Sequence, residues 1–317
     1  MKGKNIIFAV ILVTVMSSSL CWGASNKPFA IGGAGSGGGY YILGGAIGNL
    51  MTKNGMPSSV QTTGGGRQNA VLVDKGEVDF GFANAIEINE VYSKSKNKNI
   101  RAMVTAFPGY HHFLVRADQP MQTVRDIDGK VYGLTSRGST HDVAGRQIFD
   151  VLGIEPKRIV NADRSDSGNM IQDGLIAGYF MSSGYPISSI MELQTNVTLR
   201  YLPFNDKDYA AVKSKCPWLS EATIPAGTYK DLKKDLKTFK SWNIMIAKKD
   251  IPEDVVYNIL KVIFANDKNI QKTYHAAEFS KEAVNGFVVP LHPGAVKFYE
   301  EMGVKLSDKV LPPEMKK

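Results

Sequence analysis

Hydrophobic positions in the first part of the chain follow a strand, loop and helix order. A short apolar stretch at 29–31 precedes a run of glycine and serine at 32–39, and leucine, isoleucine and methionine then recur at helical spacing through 43–51. A second helix is predicted at about 67–75, and alternating apolar residues at 78–82 predict a strand after it. The glycine run is therefore predicted to connect a strand to a helix.

The pattern in the second part of the chain is similar. A strand is predicted at 130–134, a polar loop at 135–140 and a helix at 140–152. A further helix near 168–173 leads through an apolar stretch into the polar loop Ser182-Ser-Gly184. The order of elements predicts an α/β protein built from two comparable units.

The two units can be aligned by their glycines and polar loops. Gly76 then falls on Gly174, and Asn84 falls on Ser182. Open α/β sheets bind ligands at the carboxyl ends of their strands. Two such edges that face each other form a cleft, so the alignment predicts a ligand site between two lobes.

The lobe boundaries are set by two candidate crossing strands, Tyr110 to Arg116 and Ser241 to Ala247. We expect lobe I to comprise 25–112 together with 241–317, and lobe II to comprise 113–240.

Residues 1–24 are typical of a signal peptide. Lys2 and Lys4 precede an apolar run from Ile6 to Met16 and a group of serines. The run is too short for a membrane span, although an uncleaved anchor is the alternative. Without this leader Cys216 is the single cysteine, which predicts no internal disulfide.

Composition and charge narrow the classes of partner. Of 317 residues, 43% are hydrophobic and 21% charged, which is sufficient for a large buried core. The net charge is +8, but the lysines are scattered and form no basic stripe interleaved with aromatic residues. We therefore predict no nucleic-acid partner, and the mild positive charge favours an anionic ligand.

The glycine loop allows several kinds of chemistry. Gly33-x-Gly35-x-x-Gly38 matches a dinucleotide fingerprint, but the first acidic residue after it is Asp74, much too far along for a ribose contact. Ser36 resembles the serine of a nucleophile elbow, which leaves a hydrolase as a rival interpretation. His111 and His112 are adjacent on a predicted strand and face opposite ways, so no metal site and no cofactor are predicted.

The interpretation that we favour is an anion site. Glycines let main-chain N–H groups approach a ligand at a helix N-terminus, whose dipole favours negative charge. Hydroxyl, amide and guanidinium groups near these loops would complete the site. The candidate ligand-binding residues are Ser36, Gly37, Gly38, Tyr40, Tyr41, Gly64, Asn84, Arg137, Ser139, Thr140, Ser182, Ser183 and Gly184.

Several motifs, taken together and in order, resemble those of one protein family. They include Ile31 to Gly45, Gly76-Glu-Val-Asp79, Asp126-Ile-Asp-Gly-Lys130, Thr223 to Tyr229 and Pro290-Leu-His-Pro-Gly294. The chain is similar over about 29–304 to the TAXI family, the extracytoplasmic solute receptors of TRAP transporters. The resemblance implies a periplasmic protein with the type II periplasmic-binding fold, two α/β lobes joined by crossing strands. It also implies a small anionic ligand, such as glutamate or 2-oxoglutarate, and TRAP membrane permease subunits as partners.

Three departures from the family pattern fall where the cleft is expected. Asn84-Ala85-Ile86 and Ser182-Ser-Gly-Tyr-Pro186 differ from the usual segments, and Arg137 replaces a small residue or proline. The family's ligands therefore do not transfer directly to this chain.

The function predicted from the sequence is a receptor without catalytic activity. Two alternatives stay open: a secreted serine hydrolase that uses Ser36, and a ligand-binding module that serves a sensor protein.

Overall fold

A computed structural model describes residues 27–315, and the predicted signal peptide at 1–24 lies outside the described residues. Strands and helices alternate along most of the chain. The strands are β1 Phe29–Gly32, β2 Ser58–Gln61, β3 Phe80–Asn84, β4 Ile100–Arg116, β5 Val131–Gly133, β6 Arg158–Val160, β7 Gly178–Ser183, β8 Leu199–Tyr201, β9 Leu219–Ile224 and β10 Leu236–Lys248. The helices are α1 Gly39–Lys53, α2 Gly66–Lys75, α3 Ala85–Lys94, α4 Thr140–Leu152, α5 Arg164–Gln172, α6 Ser188–Asn196, α7 Asp206–Lys215, α8 Glu253–Ala265, α9 Asp267–Thr273 and α10 Pro293–Glu301.

The strands join into one mixed sheet whose central strands are the long antiparallel pair β4 and β10. The order is β2-β1-β3-β10-β4-β7-β5-β6, with β8 also paired to β4 and β9 to β10. Strands β1, β2 and β3 run parallel on one side, and β5, β6 and β7 run parallel on the other. The two central strands therefore carry the sheet from one half of the protein into the other.

Separate hydrophobic cores lie in the two halves that β4 and β10 connect. One core is built from residues of 30–106 and 242–310, and we call this half lobe I. Two further clusters are built almost entirely from 113–239, the half that we call lobe II. Ile86 of α3 is the exception, since it comes from lobe I and packs in a lobe II cluster. The predicted boundaries at 112/113 and 240/241 fall inside β4 and β10, and they stay predictions.

Helix ends marked by glycine were predicted well. The predicted helices at 67–75 and 140–152 correspond to α2 and α4, and each ends at a glycine in the left-handed conformation, Gly76 with φ 76° and Gly153 with φ 63°. Glycine takes this conformation without the steric cost that a Cβ would bring.

The crossing strand β4 was predicted too short. It begins at Ile100, ten residues before the predicted start at Tyr110. Its first part is buried almost continuously, because β10 pairs along one edge and its side chains pack in the core of lobe I. A strand buried on both faces shows no alternation of polar and apolar residues, so its first half gave no recognisable pattern. In 27–315, no helix has the length and apolar character needed to cross a membrane.

Candidate functional site

A cavity of about 260 Å³ lies where the two lobes meet, and we call it the inter-lobe cavity. This volume lies near the lower end of the range of small-molecule binding pockets. It is lined by residues of lobe I, lobe II and both central strands: Ala34, Gly39, Tyr40, Asn84, Phe107, Gly109, Thr140, His141, Ser182, Ser183, Asn243 and Tyr274.

Tyr40 forms one wall of the inter-lobe cavity. Its ring lies between Phe82 and Phe107, at centroid distances of 5.9 and 5.6 Å. Its hydroxyl donates to Asn243 Oδ1 at 2.5 Å. Burial raises the pKa of Tyr40 well above its usual value, so the phenol keeps its proton and acts as a donor near neutral pH.

Asn84 connects lobe I to β10 at the floor of the cavity. It is the last residue of β3 and the N-cap of α3, where its Oδ1 accepts a hydrogen bond from Ile86 N at 3.2 Å. Its Nδ2 donates to Ser241 Oγ at 2.9 Å and lies 3.3 Å from Asn243 Oδ1. Asn243 Nδ2 in turn donates to Phe107 O at 3.0 Å, so these amides are held in fixed orientations.

The N-terminus of α1 opens onto the cavity without a side-chain cap. The N-cap is Gly38, and the turn before it requires Gly37 at φ 82°. At Gly39 a Cβ would lie only 2.6 Å from the Tyr274 hydroxyl, so glycine allows close approach there. Main-chain N–H groups and the positive end of the helix dipole therefore face the cavity from lobe I.

The lobe II wall comes from the start of α4 and the end of β7. Thr140 is the first residue of α4, and the Ser139 side chain caps this helix by accepting from Asp142 N at 3.3 Å. The ring nitrogen Nε2 of His141 lies 2.7 Å from Ser182 O. Thr140 and Ser182 thus bring lobe II hydroxyl groups into the lining that also contains Tyr40 and Asn84 of lobe I.

Glu87 joins the two lobes directly behind the cavity. Its Oε2 accepts from Asn84 N at 3.0 Å, and its Oε1 accepts from Thr140 Oγ1 of lobe II at 2.7 Å. The side chain also lies against α2, because Oε2 occupies the space that a Cβ at Gly66 would need. Burial raises the pKa of Glu87, partly offset by these two hydrogen bonds.

Glu87 is only 5% exposed, so it is a buried carboxylate and not a solvated residue of the helix surface. Its spacing from Asn84 is that of a capping box, N-cap to N3, and this signal was present in the sequence. The Glu87 carboxylate therefore caps α3 and also lies against Gly66 at the start of α2.

Five candidate binding residues line the inter-lobe cavity: Tyr40, Asn84, Thr140, Ser182 and Ser183. Gly184 lines a neighbouring chamber. The other seven candidates, which line neither space, are Ser36, Gly37, Gly38, Tyr41, Gly64, Arg137 and Ser139.

Local structure explains several of these positions. Ser36, Gly37 and Arg137 are exposed in their loops. Gly64 N donates to Gln68 Oε1 at 2.5 Å, and Ser139 is used as a helix cap. A direct part in binding stays a prediction for all seven.

Sequence reasoning missed the lining residues that come from distant segments. Phe107 and Gly109 lie in the part of β4 that was not recognised, and Asn243 lies in β10. Tyr274 follows α9, and its ring contacts Phe107 at 5.1 Å. In the described residues, no group of three or more His, Cys, Asp or Glu side chains is placed to hold a metal ion.

Comparison with known proteins supports both the family and the fold. The sequence model of the NMT1-like family matches residues 31–303. XAC2383 from Xanthomonas citri bound to ATP superimposes with a TM-score of 0.54 at 12% identity, over 86% of this chain and 94% of that one. A chain from a study of glutathione import via GshT and the cystine ABC importer TcyBC of Streptococcus mutans gives a TM-score of 0.50 at 12% identity, over 80% and 97%. At this identity the structures show the fold alone. The fold predicted from the sequence, two lobes of the type II periplasmic-binding class, is confirmed.

Proposed function

The chain belongs to the NMT1-like family, a family of periplasmic solute-binding proteins, and from this membership we propose that it is the solute receptor of a TRAP transporter. In this proposal it binds a small anionic metabolite, a carboxylate such as glutamate or 2-oxoglutarate, in the inter-lobe cavity. The motifs shared with the TAXI family support the transporter class, and the apolar run at 6–16 supports export to the periplasm through a signal peptide.

One observation carries the proposal: the uncapped N-terminus of α1 faces a cavity whose remaining polar lining comes from both lobes. No lysine or arginine is among the lining residues. The hydroxyl protons of Tyr40 and Thr140 are already donated to Asn243 and Glu87. The helix end supplies main-chain N–H donors and a favourable dipole, and Ser182 and Ser183 bring hydroxyl groups from lobe II. Donors of this kind form charge-assisted hydrogen bonds with a carboxylate.

Delivery to a permease requires that the occupied receptor differ in shape from the empty one. Strands β4 and β10 connect the lobes, and the Glu87–Thr140 hydrogen bond joins their facing surfaces. A solute that bridges the lobes would favour this closed arrangement, which the permease subunits would then recognise.

We propose that the protein is not an enzyme. A serine hydrolase needs a base within hydrogen-bond reach of its nucleophile. In 27–315, Ser36 is exposed in the glycine loop, and its hydroxyl has no hydrogen bond to a histidine or a carboxylate.

Calorimetric titration of ligand-stripped protein tests the proposed function. We expect at least one dicarboxylate, oxoacid or acidic amino acid to bind with a Kd of about 1 μM or tighter, because the main-chain N–H donors at the N-terminus of α1 form charge-assisted hydrogen bonds with the anion. Putrescine, a dication that carries no carboxylate, serves as the cationic control and should not bind. Well-folded protein that binds none of the anionic solutes would contradict the proposal.

A further inference from the structure

A second and larger chamber continues from the inter-lobe cavity along β4. This space of about 940 Å³, which we call the side chamber, shares Ser183 and Tyr274 with the inter-lobe cavity. It lies between lobe II residues 183–189 and lobe I residues 271–278, with Pro108 and Tyr110 of β4 as its base. The two spaces together form one elongated cleft.

The walls of the side chamber differ from those of the inter-lobe cavity. Tyr110 and Tyr185 form an edge-to-face aromatic pair with centroids 4.6 Å apart. An aromatic pair of this kind offers a large apolar contact surface together with polar hydroxyls. Glu278 and His275 are also among the lining residues. The aromatic pair suits an uncharged aryl group.

The first turn of α6 adds hydrogen-bonding capacity that the protein itself does not use. Ile187, the N-cap, provides no side-chain cap. Ser189, one of the lining residues, has a buried hydroxyl without a hydrogen-bond partner in the described residues. Its oxygen is shielded from the chamber, so the donors that a solute can reach at this wall are the main-chain N–H groups of the first helical turn.

We propose that the cleft binds an elongated solute, with its carboxylate head in the inter-lobe cavity and an uncharged aryl or amide-bearing tail in the side chamber. This inference rests on the proposed function and makes its substrate class more specific. The tail passes between Ser183 and Tyr274, the two residues common to both spaces. Glutamate and 2-oxoglutarate then represent the head group alone, and the natural solute extends beyond it.

Two matched pairs of probes test the tail. L-Glutamine is compared with γ-L-glutamyl anilide, and succinamate with N-phenylsuccinamate, so that each pair differs only by one phenyl group. We expect the phenyl member of at least one pair to bind at least about tenfold more tightly in calorimetry, since the ring buries apolar surface against the aromatic pair.

Two variants test whether the gain in affinity from the phenyl group arises in the side chamber. Ala276 is partly buried in the side chamber, with its Cβ 3.4 Å from the position that a Cβ on Gly184 would take, so Ala276→Trp should fill the chamber. We expect the affinity ratio within the pair to fall to about one in this variant. Lys272→Trp is the matched control, because Lys272 is exposed on α9 and lines neither space. Its affinity ratio should equal that of the wild type.

The outcomes separate this inference from the proposed function. If the short members bind and the phenyl group brings no gain in either pair, or if the gain persists in Ala276→Trp, the elongated-solute inference is overturned while the receptor function stands. If none of these probes and none of the anionic solutes in the calorimetric panel binds, both proposals are overturned.

Discussion

Asn84→Asp is expected to weaken the binding of an anionic solute by about 100-fold or more. The change is isosteric and places a carboxylate on the floor of the inter-lobe cavity. At a separation of about 4 to 6 Å, with the effective dielectric constant of a protein site, two negative charges repel by about 3 kcal/mol. The substituted side chain also loses the N–H that reaches Ser241 Oγ.

The fold should survive this substitution. Aspartate is as good an N-cap as asparagine, and it keeps the oxygen that accepts from Ile86 N. Asn205→Asp is the matched control, since Asn205 is the N-cap of α7 and lines neither the inter-lobe cavity nor the side chamber. It makes the same change in net charge and should leave the Kd unchanged.

Calorimetric Kd values of both variants, with thermal melts to establish folding, provide the measurement. Unchanged affinity in Asn84→Asp would contradict an anion bound beside this residue. Tighter binding would indicate a cationic solute and would contradict the charge that we assign to the ligand.

Acidification from about pH 7.5 to about pH 5 is expected to lower the free energy of unfolding by several kcal/mol. Burial lowers the pKa of His111 to about 3 and those of His112 and His292 to about 4. Because these folded-state values lie below the unfolded value of about 6.5, the unfolded chain takes up more protons over this range. Stability is therefore fully present above the unfolded pKa and falls as the pH drops, by about 2 kcal/mol for each histidine. The raised pKa of Glu87 acts in the opposite direction.

His111→Leu removes the histidine whose pKa is lowered the most. His111 is fully buried in β4, and neither of its ring nitrogens has a hydrogen-bond partner in the described residues. Replacing an unpaired buried polar group with an apolar one of similar size is neutral or stabilising. The variant should thus match or exceed wild-type stability at pH 7.5 and lose about 2 kcal/mol less on acidification.

Urea unfolding at several pH values measures this difference, with His275→Leu as the control because His275 is exposed. An equal pH dependence in His111→Leu and the wild type would show that His111 does not titrate as its burial requires.

Local patterns in the sequence were sufficient to predict much of the fold. Helical spacing and terminal glycines located α2 and α4, because a left-handed residue at a helix end almost requires glycine. The alignment of Asn84 with Ser182 identified two residues that line the same cavity. Both lie at the carboxyl ends of strands, β3 and β7, each of which has a parallel neighbour in its own lobe.

The rest of the site depends on contacts between distant segments. Tyr274 and Asn243 reach the cavity only because the chain returns to lobe I after completing lobe II. Glu87 lies three residues after the N-cap Asn84, a position in a helix that can be exposed or buried. Its burial depends on the approach of α4, whose Thr140 donates to it across the cleft. No local pattern in the sequence reports such an approach.

A crystal structure of the protein with the tightest-binding solute from the calorimetric panel tests the central claim most directly. We expect the solute to lie between the lobes, with its carboxylate at the N-terminus of α1 and contacts to both Asn84 and Ser182. A solute bound on the surface of one lobe, away from these residues, would contradict it.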